Sequence, residues 1–442
     1  MEQDLDFQLA YQRGVQAAIW GMPAVSIASL RHAVFRDLGA RCNDVVYLSR
    51  PALARHELLT AAPGPLFVMV MLDLRDGPVV VEVPPAASGA ALAGTAVDGW
   101  MEPVVDMGVN GEDAGAGGLY LFLPPGHDAA VPAGYFAAPA KTYAVHVALR
   151  IVSHLAPADA AVAAQRLRVY PLSSAARPPA NRYVDAFPRA WRTLPQYDMS
   201  YFTTLAELID REPTQERDGC MLGLLASIGI RKGTPFLPDG RLVRALELAI
   251  RDARRQMEHY FETPGLAMAP LRPGSSWVVD NSTPHPGRTY VVGGRLLVDE
   301  RAGGYSYWSR FAPRRPTRGS YRLHCLHDAA GDALGGGNLY RLRVPGHVPA
   351  RDSWSISVYD KESKAFVPNE LDRVALSPCH GTLRAEDDGS LEVFFGPRSP
   401  RGKKGNWIPT AEGDFFLVFR LLGPEKAVFD RSFRLADVEK VS

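Results

Sequence analysis

The last third of the chain keeps one rhythm. SYRLHCLHD (320–328), NLYRLRVP (338–345), SWSISVYD (353–360), SLEVFFG (390–396) and DFFLVFRLLG (414–423) are short apolar or alternating runs, separated by clusters of Gly, Pro, Asn and Asp. Such short segments bury their apolar side chains by pairing into sheets, and a series of them predicts a β-sandwich or jelly-roll-like domain. The first half repeats the pattern in PLFVMVML (65–72), GPVVVEVP (77–84), GGLYLFLP (117–124), TYAVHVALRIV (142–152) and RLRVYPL (166–172). PLFVMVML is apolar on both alternating faces, which predicts a strand inside a sheet, covered on both sides.

Two stretches break the rhythm with helical spacing. In DFQLAYQRGVQAAIWGMPAVSIASLRHAVF (6–35), Phe7, Ala10, Tyr11, Val15, Ala18 and Ile19 recur as on one helix face, and Pro23 is expected to kink or break that helix. DGRLVRALELAIRDARRQMEHYF (239–261) places Leu242, Leu246, Ala249, Ala253, Met257 and Tyr260 on one stripe opposite a charged face, as in a helix packed on a sheet. The expected fold is mainly β with α insertions: two β-sandwich or jelly-roll-like domains, N-terminal helices and a helical middle segment. A length of 442 residues exceeds what one core usually organises. The expected division is 1–200, a helical connection at 201–270, and a C-terminal β domain at 271–442.

Composition narrows the partners. A net charge of +1 gives no bulk field for nucleic acid or acidic partners. No apolar run reaches the length of a membrane span, and MEQDLDFQLAYQRGVQ lacks the basic and apolar regions of a secretory signal. Cys42, Cys220, Cys325 and Cys379 show no CxxC spacing, so a reducing cytoplasm is the expected compartment.

Motif tests remove the common chemistries. FFGPRSPRGKKG resembles a phosphate loop, but five residues separate Gly396 from Gly402, Lys404 stands where Ser or Thr belongs, and a strand follows. No G-x-S-x-G, H-E-x-x-H or EF-hand loop occurs, and AGAGGLY and GGGNLY lead into strands rather than helices, so no nucleotide cofactor is expected. His324 and His327, three apart on a strand, point to opposite faces. A metal site built from His327, His285 and His347 stays open, although no metal is the expectation, and Cys379–His380 is a weak nucleophile pair.

Arg420 stands out. Both faces of FFLVFRLL are apolar, so this guanidinium needs a carboxylate partner or an anionic ligand. Arg150, in HVALRIV, poses the same question. Ser355, Ser357 and Tyr359 share a strand face that is either solvated or lines a polar pocket.

These elements, taken in order, carry a resemblance. The Asp328–Gly331 turn, LGGGNLYRL, SWSISVYD, Asn369 and Arg373 in PNELDRVAL, DGSLEVFFG, GNWIPT, Gly413-Asp414-Phe415 and FRLLGP resemble a two-domain family of unknown function, domain of unknown function 1254 followed by domain of unknown function 1214. SIGIRKGTPFLPDGRLVRALELA (227–249), LDLRDGPVVVEVP and AGAGGLYLFLPPG are similar to the family as well. Where the family has a polar Asn-x-Asp-Thr-x-Tyr-like run, this chain reads PGPLFVMVM (63–71), and Ala138-Pro139-Ala140 replaces Ser-Pro-Thr. The resemblance implies two jelly-roll-like domains and a pocket more apolar or specialised than in relatives. It implies no established activity and no cofactor.

The expected function is an enzyme acting on a small organic metabolite by acid/base chemistry, of hydrolase, lyase or isomerase type, in a specialised biosynthetic role. Asp328, His327, Arg373 and Tyr359 are the catalytic candidates; Asn369, Arg420, Trp407 and Arg150 are the substrate-binding ones. The other reading is a non-catalytic β-sandwich that binds a small molecule or carbohydrate, with Trp308, Trp354 and Trp407 offered for sugar stacking. A homo-oligomer is left open.

Overall fold

The computed structural model describes residues 4–441 apart from 65, 88, 154–159, 264–267, 281–288, 308–310, 312–313, 315–319 and 379–380. The chain is β-rich with α insertions. It divides into two compact units, each discontinuous in sequence: 1–51, 65–261 and 284–315 form the first, and 52–64, 262–283 and 316–442 the second.

In the first unit, β1 (Val45–Tyr47), β2 (Leu66–Asp73), β4 (Ala90–Asp98), β5 (Pro103–Gly108), β8 (Ala144–Ser153) and β10 (Tyr183–Asp185) form a sheet in the order β10-β1-β2-β8-β4-β5. β3 (Val79–Val83), β6 (Gly118–Leu123), β7 (Tyr135–Pro139) and β9 (Arg168–Pro171) form a second sheet, β7-β6-β3-β9. One core joins them: Val68, Val70 and Leu72 of β2 meet Val79, Val81, Tyr120 and Phe122. β2 lies between β1 and β8, and all of it except Phe67 and Asp73 is buried, as expected of a strand apolar on both faces.

The helices of this unit are α1 (Leu5–Arg36), α2 (Met199–Arg211), α3 (Gly219–Ala226), α4 (Gly240–Glu262) and α5 (Val298–Tyr307), with a small hairpin of β13 (Val291–Val292) and β14 (Arg295–Leu296). Pro23 does not break α1, which runs through it. Proline forfeits one helical hydrogen bond, and the unbroken burial of residues 17–25 outweighs that loss. The apolar stripe of α4 packs among helices rather than on a sheet, in a cluster with α1 and α2. The approach to α1 is close: a Cβ on Gly14 would lie 2.7 Å from both Ala249 Cβ and Leu246 Cδ2.

In the second unit, β11 (Met268–Pro270), β12 (Trp277–Asp280), β15 (Ser320–Cys325), β17 (Ala350–Asp360), β18 (Ala375–Leu376) and β21 (Phe415–Pro424) form the sheet β11-β12-β15-β21-β17-β18. β16 (Tyr340–Val344), β19 (Leu391–Gly396), β20 (Trp407–Pro409) and β22 (Glu439–Lys440) form β20-β19-β16-β22. Leu323, Leu417, Phe419, Leu421 and Ile356 meet Leu342, Val393 and Ile408 between them. The short helix α6 (Lys426–Phe429) follows β21. Both units are thus six-plus-four-stranded sandwiches.

Candidate functional site

The sequence candidates of the second unit fall into three local groups. Asp328 is a buried turn cap: its carboxylate accepts from Ala330 N (2.9 Å) and Asp332 N (3.0 Å), and His327 lends its carbonyl to the Cys325 thiol at 3.1 Å. Asn369 closes the loop 367–373, accepting from Leu371 N and Arg373 N and donating to the Val367 and Arg373 carbonyls. Arg373 then ties that loop to the Lys404 and Trp407 carbonyls. Trp407 donates its indole N–H to Gly396 O at 2.9 Å, and its peptide is itself a strand, β20, parallel to β19.

Trp407 therefore belongs to an interlocked corner. Asn406 donates to Arg384 O and Glu392 O and accepts from Arg384 N, each within 2.9 Å. Thr410 donates to Gly336 O, and Gly336 N donates to Gly413 O. Asn406→Ala is expected to cost about 2 kcal/mol, because three partly buried backbone groups lose their partner; an unchanged thermal melt of the variant would overturn this reading.

The third group is Arg420 with Tyr359. Register sets Ser355 beside Arg420, Ser357 beside Val418 and Tyr359 beside Phe416, all on the sheet face away from the sandwich core. That face is not solvated: Ser355, Ser357, Tyr359 and Arg420 are all buried. Arg420 is 3% exposed and donates to Ala61 O (3.4 Å) and Thr60 O (3.2 Å), while Tyr359 donates its hydroxyl to Ala61 O. The partner the guanidinium requires is a pair of peptide carbonyls from the segment 52–64, which Thr60 N also anchors through Lys364 O. Trp354 is buried and stacked on Phe419 at 5.1 Å, so neither it nor Trp407 offers a platform for sugars. His347 is exposed, and His285, Trp308 and Cys379–His380 lie outside the described residues. Among the described residues, no three His, Cys, Asp or Glu side chains gather as a metal site would need.

Arg150 belongs to the first unit, half-buried on β8, its guanidinium 5.9 Å from the Phe67 ring centre. Phe67 is one of the apolar residues in the PGPLFVMVM stretch. Further along β8, His146 is fully buried, and burial together with Arg31 and Arg211 holds it well below the ordinary histidine range, hence neutral. On the neighbouring strand Asp98 accepts from Trp100 N (2.8 Å) and Glu102 N (2.9 Å), shaping the turn that places Met101 at φ +60. Burial, and then Glu102, push Asp98 up to about 7 from 3.8. Between those values the folded state holds a proton the unfolded state has released, so this group's contribution falls as pH rises from about 4 to 7. Asp98→Asn, which keeps the accepting oxygen, is expected to raise stability at pH 8 and to change little near pH 4; denaturant melts at the two values check this.

A cavity of about 470 Å³ lies among the helices, lined by Tyr11 and Ile19 of α1, Asp252, Arg255, Gln256, Met257, His259 and Tyr260 of α4, and Asp299 of α5. Tyr11 donates to Asp252 Oδ2 at 2.6 Å, and that bond, with burial and the charge of Asp252, pushes the phenol up, so it stays protonated at neutral pH. Burial, then Glu300 and Asp299, do the same to Tyr260. The wall is fixed by α5, where Arg301 donates to Trp20 O (2.7 Å), Tyr305 donates to Met101 O (2.8 Å), and Gly303 leaves room for the Tyr260 ring, whose Cδ1 would lie 2.4 Å from a Cβ there. The α4 stripe was legible in the sequence. The pairing of Tyr11 with Asp252, 241 positions away, left no signal in it.

Family models now fit onto this architecture. The protein of unknown function DUF1254 matches residues 42–171, in the first sandwich, and the protein of unknown function DUF1214 matches 319–426, in the second. The chain belongs to this two-domain family. No curated protein matches the DUF1254–DUF1214 chain. Among solved structures it is similar to the VPA0106 protein of Vibrio parahaemolyticus, at 17% identity over 98% of this chain and 100% of that one, with a TM-score of 0.58, which shows a shared fold. An uncharacterized protein of Burkholderia cenocepacia is similar at 13% identity, covering 99% and 96%, with a TM-score of 0.45. The helical cavity lies on residues outside both family models. Among the described residues, no helix is long and apolar enough to cross a membrane.

Proposed function

We propose that this DUF1254–DUF1214 protein is an enzyme that acts on a small organic molecule by acid/base chemistry, of hydrolase, lyase or isomerase type and without a nucleotide cofactor, and that the reaction takes place in the helical cavity of the first unit. The observation that carries the reading is the Tyr11–Asp252 pair on the wall of a concave space of ligand size. Asp252 is the base that takes the substrate's proton, and the Tyr11 hydroxyl, which donates to it, holds the carboxylate in place. Asp328, Asn369, Arg373, Tyr359, Trp407 and Arg420 each spend side-chain hydrogen bonds on the chain's own backbone, which favours the helical cavity over them. Among the described residues Cys42, Cys220 and Cys325 are free thiols, which supports a reducing cytoplasm as the compartment, and a specialised biosynthetic role fits the altered PGPLFVMVM stretch.

The test is turnover of metabolite extracts by the purified chain, read by mass spectrometry. Asp252→Asn is expected to lower kcat/KM about 100-fold or more, with the melting temperature moving only slightly. Equal turnover by Asp252→Asn would sink the assignment. A ligand retained but not converted would leave the binding-protein reading.

A further inference from the structure

We propose that the ligand of the helical cavity is an organic ammonium ion: a protonated amine on a small apolar or aromatic body. The inference rests on the placement of the site above and adds the charge of what enters it.

The first observation is which charges are already paired. Asp252 is met by the Tyr11 hydroxyl at 2.6 Å and by Arg255 Nη1 at 3.7 Å, so Arg255 faces a carboxylate of its own and is not a free anchor for an anion. Asp299 lines the same cavity, is exposed, and has no ion-pair partner among the described residues. Glu300 follows it, and both carboxylates act on the Tyr260 phenol. Of the two carboxylates that line the cavity, Asp252 faces a guanidinium and Asp299, among the described residues, does not. An anionic ligand would meet repulsion there, and a cation would complete it.

The second observation is the wall beside that charge. Tyr260 is held against Gly303, where any Cβ would collide with its ring, and Tyr11 and Met257 continue the surface. An aromatic face next to a carboxylate recognises an ammonium head: the ring supplies its electron-rich face, the carboxylate its charge, and the apolar neighbours hold the hydrocarbon body. Asp299 also sits in the first turn of α5, where an acid stabilises a helix start. That role accounts for its stability contribution but predicts no preference among ligands, so the test reads ligand preference.

The experiment titrates the full chain at pH 7 by calorimetry with 2-phenylethylamine, 3-phenylpropanoate and 2-phenylethanol, three probes of similar size and different charge. The amine is expected to bind about tenfold or more tightly than either other probe. Asp299→Asn, a surface change expected to leave the melt intact, is expected to remove most of that preference. Gln256→Trp, which fills the space, is expected to abolish binding of all three. Equal or tighter binding of the carboxylate or the alcohol, an unchanged preference in Asp299→Asn, or no saturable binding of the amine overturns the ligand class. None of these outcomes touches the Asp252→Asn turnover test, which decides the acid/base reading separately. Amine binding that survives in Gln256→Trp would remove the cavity itself, and both inferences with it.

Discussion

Gly336→Ala is expected to unfold the second unit at temperatures where the wild type is intact, while Gly337→Ala, one residue on, is expected to be nearly silent. The two glycines stand side by side in LGGGNLYRL, and neither has a positive φ, so conformational freedom does not separate them. Space does. A Cβ on Gly336 would lie 1.7 Å from Ala411 O and 2.9 Å from Gly413 O; one on Gly337 meets nothing within 4 Å. Backbone cannot rotate away as a side chain can. The strand exchange at Gly336 N–Gly413 O and Thr410 Oγ1–Gly336 O would have to part, and Phe415 N–Leu334 O lies next to it. The expected cost is about 4 kcal/mol or more, at the far end of single substitutions. Gly337→Ala is expected to stay within about 1 kcal/mol. Circular dichroism melts of the two variants decide it, and similar melts would show that the contact at Ala411 relaxes.

Arg420→Met is expected to cost about 3 kcal/mol and to release the segment 52–64 from its sheet. Methionine fills the volume but donates nothing. Thr60 O then has no donor from the sheet, and Ala61 O keeps only the Tyr359 hydroxyl. Trypsin reports the local effect: cleavage after Arg55, within the segment, is expected to speed up before the rest of the unit is cut. Arg420→Lys is expected to fall between, since one ammonium lacks the fork that spans two carbonyls. A tryptic pattern in Arg420→Met identical to wild type would show that other contacts hold the segment. The same geometry explains why the residue gave an ambiguous signal in sequence. A buried guanidinium announces that a partner exists, but backbone carbonyls carry no sequence identity, and these belong to residues some 360 positions earlier.

Strands with strong β-forming residues were legible: VVVEV, GLYLFL, VHVALRIV and FFLVFRLL all pair where their patterns place them. β4 and β5 were not. AALAGTAVD is more than half alanine and glycine, whose weak strand preference is overridden by position between β8 and β5. Gly94 is required there, because a Cβ would lie 2.0 Å from Ala148 O. At Pro23 the break that proline allows is absent for the opposite reason: burial on all sides keeps α1 continuous.

By itself the sequence determined the class of this chain. Period-two apolar runs can be buried only in sheets, two such series give two sandwiches, and the amphipathic run at 239–261 can only be a helix with one face covered. The order of motifs likewise determined the family. What only the tertiary structure decided is which polar residues bond the backbone and which line a cavity. Asn369, Arg373, Asn406 and Arg420 look like chemistry in one dimension, and they become fasteners because hydrogen bonds to backbone are made in space. Tyr11, Asp252 and Asp299 look like ordinary surface residues of three helices, and they line one cavity only because close packing at Gly14 and Gly303 brings those helices together.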